Sequence, residues 1–129
     1  MQIKAGCRIH RYRTAIATVE VAMSTWSDAV SLRVLVSDDD THEGRPLFEA
    51  LVRAAHDAGL AGTNVTRGIA GYGRSGHIHE RWRGFSYDLP IVVELIDTDE
   101  KIDRFLAIVQ ELRQGALVTR QRIDVLQSP

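Results

Sequence analysis

Between Tyr72 and Tyr87 the chain gathers Arg74, His77, His79, Glu80, Arg81 and Arg83, side chains able to hold an anion, move a proton or hydrogen-bond a partner. Gly71, Gly73 and Gly76 stand at the start of the same stretch. Glycines let the backbone come close to a ligand, and successive free N–H groups form an anion-binding concavity. Arginine adds a rigid fork of donors that matches phosphate oxygens. Two strand-like runs flank the stretch, yet hairpin loops usually have about two to five residues, and longer loops in compact domains are mostly functional or disordered. The chemistry expected here is capture of an anion or of a partner protein on a long arm.

Other groupings suggest rival chemistries. Gly71-Tyr72-Gly73-Arg74-Ser75-Gly76 fits G-x-G-x-x-G, with Asp97 beyond it. A dinucleotide fold needs a helix directly after the third glycine, and the charged, Gly84-containing stretch that follows makes a poor one. A phosphate-binding turn without that fold is the better reading. His77 and His79 have a spacing that can ligate metal, but no cysteine or third histidine lies near them, and a solvated pair accounts for them. Asp38, Asp39, Asp40 and Glu43 could hold magnesium; an acidic turn before a helix N-terminus is the simpler account. Arg67, in mid-strand beside Gly68, reads either as an ion-pair partner or as a phosphate ligand at the base of the loop. Glu94 interrupts an apolar run and calls for a cationic partner, since buried carboxylates are seldom unpaired.

The elements that must position these groups follow from periodicity. Leu32, Val34 and Val36 alternate with Arg33 and Leu35, the pattern of a strand with one buried face that ends at the acidic cluster. Pro46 suits the first turn of a helix carrying Leu47, Leu51, Ala54, Ala55 and Ala58, with Gly59 as its C-terminal cap. Thr63 to Ile69 forms a second strand and Leu89 to Ile96 a third. Asp97 and Glu100 have capping-box spacing for a second helix with an Ile102, Phe105, Leu106, Val109 and Leu112 stripe that ends before Gly115. Leu117 to Val125 closes the chain. The order β-α-β-β-α-β is that of an α+β, ferredoxin-like sandwich, an antiparallel sheet with two helices on one face. Ile91, Val93 and Leu95 alternate with Val92, Glu94 and Ile96, so the third strand is apolar on both faces, which favours an oligomer.

Size and composition narrow the classes. A chain of 129 residues suits one domain with a modest core. A formal charge of -1 supplies no field for nonspecific nucleic-acid binding, which makes DNA or RNA a weak partner. The single cysteine, Cys7, implies no internal disulfide, and no apolar run reaches the roughly twenty residues of a membrane span. A cytoplasmic, soluble protein without membrane insertion is expected. Residues 1–28 read as an N-terminal extension to a domain at 29–129. Ala17, Val19, Val21 and Met23 alternate as an extra edge strand would; the alternative is that translation starts at Met23.

Two segments, EGRPLFEALVRAAHDAGLAGTNVTRGIAGYG (Glu43 to Gly73) and DLPIVVELIDTDEKIDRFLAIVQEL with the following GALVT (Asp88 to Thr119), resemble the PII signalling superfamily. The particular resemblance is to the PII-like family known as domain of unknown function family 190. GYGRSGHIHERWRGFSY looks like the T-loop of nitrogen-regulatory PII proteins. The resemblance implies a homotrimer with sheets packed inward and an adenine nucleotide bound between subunits as effector, with no cofactor required. It places Arg67, Gly68, Gly71, Gly73, Arg74, Glu94, Gly115 and Thr119 at the ligand. The loop residues His77, His79, Arg81, Arg83 and Tyr87 would meet a target protein such as a membrane transporter. Tyr87 matches a tyrosine that some PII proteins carry modified, but the strand resumes at Leu89, sooner than in true PII proteins, and modification is not expected. The loop after the second helix, which helps PII proteins hold ATP, is reduced to Gly115-Ala116-Leu117-Val118-Thr119, so AMP or ADP is favoured over ATP. No residue is assigned a catalytic or metal-ligating role. The alternatives are a small enzyme acting on a phosphorylated metabolite, with His77 or His79 as acid or base, and an oligomeric scaffold that binds nothing.

Overall fold

The computed structural model describes residues 25–74, 76–80, 89–113 and 115–127. They form β1 (Trp26–Ser37), β2 (Thr41–His42), β3 (Arg45–Pro46), α1 (Leu47–Asp57), β4 (Gly62–Arg67), β5 (Ala70–Gly71), β6 (His79–Glu80), β7 (Pro90–Asp97), α2 (Asp99–Leu112) and β8 (Leu117–Leu126). The expected extra strand before Met23 lies outside the described residues. The chain divides into two units. Residues 28–123 carry the sheet, the helices and the loop base. In the smaller unit Gln127 N donates to Thr25 O at 3.1 Å and Gln127 Nε2 donates to Ser27 Oγ at 2.8 Å.

The main sheet has the order β4-β7-β1-β8. β7 pairs antiparallel with β1, from Val30 opposite Asp97 to Ser37 opposite Pro90, and with β4, from Gly62 opposite Ile96 to Arg67 opposite Ile91. Side chains alternate across a strand, so this register puts Leu32 opposite Leu95, Val34 opposite Val93 and Val36 opposite Ile91 on one face. All six are buried, in one cluster with Leu47, Leu51 and Ala55 of α1 and Ile102, Phe105, Val109 and Leu112 of α2. Burying a leucine of this kind stabilises by about 1.5–3 kcal/mol. The fold is therefore the expected α+β sandwich with both helices on one face of an antiparallel sheet.

Local details differ from the periodicity reading. Pro46 stands just outside α1 as its cap and closes a two-residue β2–β3 hairpin. Glu43 (φ 50°) and Gly44 (φ 77°) turn that hairpin, a conformation that an Asn-Gly-type signal would have announced and Glu-Gly did not. α1 ends as expected at Gly59, whose positive φ of 70° lets Gly59 N reach His56 O and Leu60 N reach Ala55 O. The expected Asp97 cap of α2 is corrected: Thr98 caps the helix, its side chain accepting from Lys101 N at 3.4 Å. Asp97 is the last residue of β7, with its side chain on the buried face. Its carboxylate accepts from Ala61 N at 2.8 Å and Thr98 N at 2.6 Å and lies 3.6 Å from Lys101 Nζ.

Burial opposes the charged form of Asp97, but the two backbone hydrogen bonds and Lys101 outweigh it and hold the carboxyl below its ordinary range. A group depressed on folding stabilises above its unfolded pKa, near 3.9 for Asp, and loses that contribution as pH falls through its folded value. Asp97→Asn should therefore cost about 1–3 kcal/mol at neutral pH. The deficit relative to wild type should shrink below about pH 4 as the wild-type carboxylate protonates. Urea unfolding at fixed protein concentration across this range measures both.

Candidate functional site

The C-terminal end of β1 and the start of β7 form the floor of a cavity of about 740 Å3, through Leu35 to Ser37 and Pro90 to Val92. Gly68, Gly71, Gly73 and Arg74 border it from the loop side, and Arg113, Gly115 and Ala116 from the turn between α2 and β8. Its size falls within the range of small-molecule sites. Asp39, Asp40, Tyr72 and His77 also line it.

Three sets of contacts fix the rim. Gly68 N donates to Pro90 O at 2.8 Å, and Asp38 N to Leu89 O at 2.9 Å, so the loop base and the β1 turn both hang on the first residues of β7. An ion pair of 3.1 Å between Arg67 and Asp38 joins those two segments directly. Within the acidic turn, Ser37 N donates to Asp40 Oδ2 at 2.8 Å and Ser37 Oγ to Asp39 Oδ1 at 2.5 Å. These contacts account for the Asp38 to Asp40 cluster as a built turn. Among the described residues no group of three His, Cys, Asp or Glu is placed to hold a metal ion.

The arm beyond the rim has more structure than its composition suggests. Ala70 pairs with Glu80 and Gly71 with His79 in a short antiparallel ladder. Gly76 N donates to Gly73 O at 3.1 Å, and the chain after Gly76 enters β6 rather than a helix, which disposes of the dinucleotide-fold reading. Glycine is suited to position 76, where φ is 69°.

Of the residues expected at a ligand, the structure brings Gly68, Gly71, Gly73, Arg74 and Gly115 to the cavity, and His77 with them. Arg67 stands beside it, turned to Asp38. Glu94 is two positions beyond Val92 on the same face of β7, with Oε2 accepting from Arg33 Nε at 2.8 Å and from Ser31 Oγ at 3.0 Å. Arg33 is its direct cross-strand partner. The Arg33 hydrogen bond, helped by Ser31 and opposed by burial, holds the Glu94 carboxyl below its ordinary range. Thr119 is exposed on β8 and is not among the cavity-lining residues. His79 lies in β6, and its side chain is outside the described set, as are Arg81, Arg83 and Tyr87. Sequence reasoning missed Arg113; its signal was a basic residue at the end of a helix, two positions before the turn glycine.

Fold and cavity together define an α+β, ferredoxin-like protein with a cavity of small-molecule size, and its fold is one that solved PII-like proteins share. CPII, a nitrogen regulatory PII-like protein from Thiomonas intermedia K12 solved with ADP, AMP and bicarbonate, matches with a TM-score of 0.62 and 18% identity, covering 80% of this chain and 92% of that one. CutA1 from Oryza sativa matches at a TM-score of 0.50 and 12% identity, covering 79% and 84%. These likenesses concern the fold. Residues 29–125 match domain of unknown function family 190, described as an uncharacterized ACR. A UPF0166 protein of Aquifex aeolicus (strain VF5) is 40% identical over 97 residues, 74% of this chain and 90% of that protein. The chain belongs to family 190.

A Cβ added at Gly68 would lie 2.9 Å from Pro90 Cγ, closer than side chains pack. Gly68→Ala must therefore shift either the loop base or the start of β7. It should destabilise by about 1–3 kcal/mol. Thermal or urea unfolding measures the loss, and an unchanged midpoint would show that this rim gives way freely.

Proposed function

We propose that this chain is a PII-like regulatory protein, not an enzyme, whose cavity receives an adenine nucleotide, AMP or ADP, as its effector. The observation that carries the reading is convergence: Gly68, Gly71, Gly73 and Arg74 of the loop base and Gly115, about forty residues further along the chain, border one cavity of a size suited to a small molecule. Backbone N–H groups of the glycine run and the Arg74 guanidinium would hold phosphate. The ADP and AMP bound to CPII, a protein of the same fold, support the choice of base and phosphate number.

The functional unit would be a homotrimer with the cavity completed between subunits. Leu35, Val92 and Ile96 on the sheet face away from the helices are only half-buried in the single chain, and a second sheet would cover them. Glu94, on that same face, would then border the intersubunit cleft. The regulatory domain would be residues 29–129, with 1–28 as an extension, and the protein would act in the cytoplasm. No helix among the described residues is long and apolar enough to cross a membrane. Nucleotide would favour one state of the Tyr72 to Tyr87 loop, and His77, His79, Arg81, Arg83 and Tyr87 would present that state to a target such as a transporter. Such a switch requires the ligand to bind the two loop states unequally.

Isothermal titration with AMP, ADP, ATP and cyclic AMP, with and without magnesium, tests the reading. Saturable binding near one nucleotide per chain is expected, without hydrolysis of the nucleotide on prolonged incubation. Arg74→Ala should weaken AMP and ADP by roughly tenfold, about 1.4 kcal/mol. Heat from none of the four ligands would remove the nucleotide sensor, and turnover that depends on His77 would replace it with the enzyme.

A further inference from the structure

Where β4 gives way to the loop, one bond of the sheet ladder is missing for a chemical reason. Arg67 lies opposite Ile91, so Gly68, the next residue, lies opposite Pro90. Gly68 N donates to Pro90 O at 2.8 Å, which makes this the kind of antiparallel pair whose members exchange two bonds. Pro90 has no N–H and cannot return the second. Gly68 O is left without its ladder partner, and among the described residues no other donor meets it. A carbonyl that is half-buried needs a donor from a ligand once that ligand displaces water.

Gly68 and Pro90 both line the cavity, next to Ile91 and Val92. Their approach is close: a Cβ on Gly68 would lie 2.9 Å from Pro90 Cγ, so only glycine brings its backbone against the proline ring. This part of the wall joins an apolar surface to a single acceptor. Because its N–H is spent on Pro90, Gly68 offers a ligand only a carbonyl oxygen, which attracts N–H and O–H groups and repels phosphate oxygens. It therefore suits the uncharged part of a nucleotide. Adenine carries one exocyclic amino donor on a flat, largely apolar ring, which fits an acceptor beside proline and valine; a ribose hydroxyl fits the acceptor but not the apolar surface next to it.

Resting on the nucleotide reading above, we propose that Gly68 O selects the base, accepting a hydrogen bond from the exocyclic amino group of adenine while the ring lies against Pro90. The N–H that Pro90 lacks is what keeps this acceptor available. A purine with a carbonyl at the same position sets oxygen against oxygen, and one with only hydrogen there leaves Gly68 O unpaired.

Titration of the full chain tests this with AMP, deoxy-AMP (which lacks a ribose hydroxyl), purine riboside monophosphate (which lacks the amino group) and inosine monophosphate (which carries a carbonyl instead). AMP and deoxy-AMP should bind alike, purine riboside monophosphate roughly tenfold more weakly, and inosine monophosphate more weakly still. Pro90→Ala restores an N–H that can take Gly68 O and should bring the affinity ratio of AMP to purine riboside monophosphate close to one. Equal binding of those two ligands by the wild-type chain, or a loss confined to deoxy-AMP, would overturn the proposal and leave the nucleotide reading standing, whether or not Pro90→Ala folds. An AMP preference that survived in folded Pro90→Ala would put the amino group on another acceptor and overturn it as well. Wild-type protein that bound none of the four ligands would end both readings.

Discussion

β7 is the strand on which the site depends, because it is hydrogen-bonded to β1 along one edge and to β4 along the other, and both rim segments are fastened to its start. Its alternation gives Ile91, Val93 and Leu95 to the core and Val92, Glu94 and Ile96 to the opposite face. A slip of one residue in its pairing would exchange these sets, burying a carboxylate among the helices. The register is thus specified by the cost of that exchange. It also sets the cavity, since Pro90 and the adjoining Leu89 are where the loop base and the β1 turn are fastened.

The face away from the helices combines apolar and charged groups in a way the register explains. Glu94 lies directly opposite Arg33, and both sit among half-buried aliphatic side chains. Arg33 is about half exposed, so in the single chain solvent screens the pair and its net contribution to stability is small. Covering the face would change that balance. A carboxylate already satisfied by Arg33 and Ser31 can enter a low-dielectric interface without an unpaired charge, whereas a lone glutamate in the same run could not.

A second theme is how closely the loop base is coupled to the acidic turn. Arg67 reaches Asp38, and the next residues on each side, Gly68 and Asp39, both line the cavity. Any ligand that moved one rim segment would strain a partly exposed ion pair and a backbone hydrogen bond to β7. These are weak individual contacts, of the order of a kcal/mol each. A rim built from such contacts can shift with ligand at modest cost, while the leucine and valine core beneath it stays fixed.

The β-α-β-β-α-β order, the two helical stripes and the Gly59 cap were legible in the sequence because each rests on local periodicity or on a local backbone requirement. The gathering of Gly71, Gly73 and Arg74 was legible too, since close spacing keeps them together, and the structure sets all three on the cavity rim. Local signals failed where a residue's role depended on a distant neighbour. Asp97 looked like a helix cap and proved to be a tether for Ala61, a residue brought to it by the β4–β7 register. Glu94 asked for a cation, and only cross-strand pairing could choose Arg33. Arg113 carried no motif; it reaches the cavity because the strand order places the start of β8 beside the end of β1. Sequence alone determined the four long strands and two helices and which residue types lie close together along the chain, while tertiary structure decided which side chains share a wall, because that depends on pairing between segments tens of residues apart.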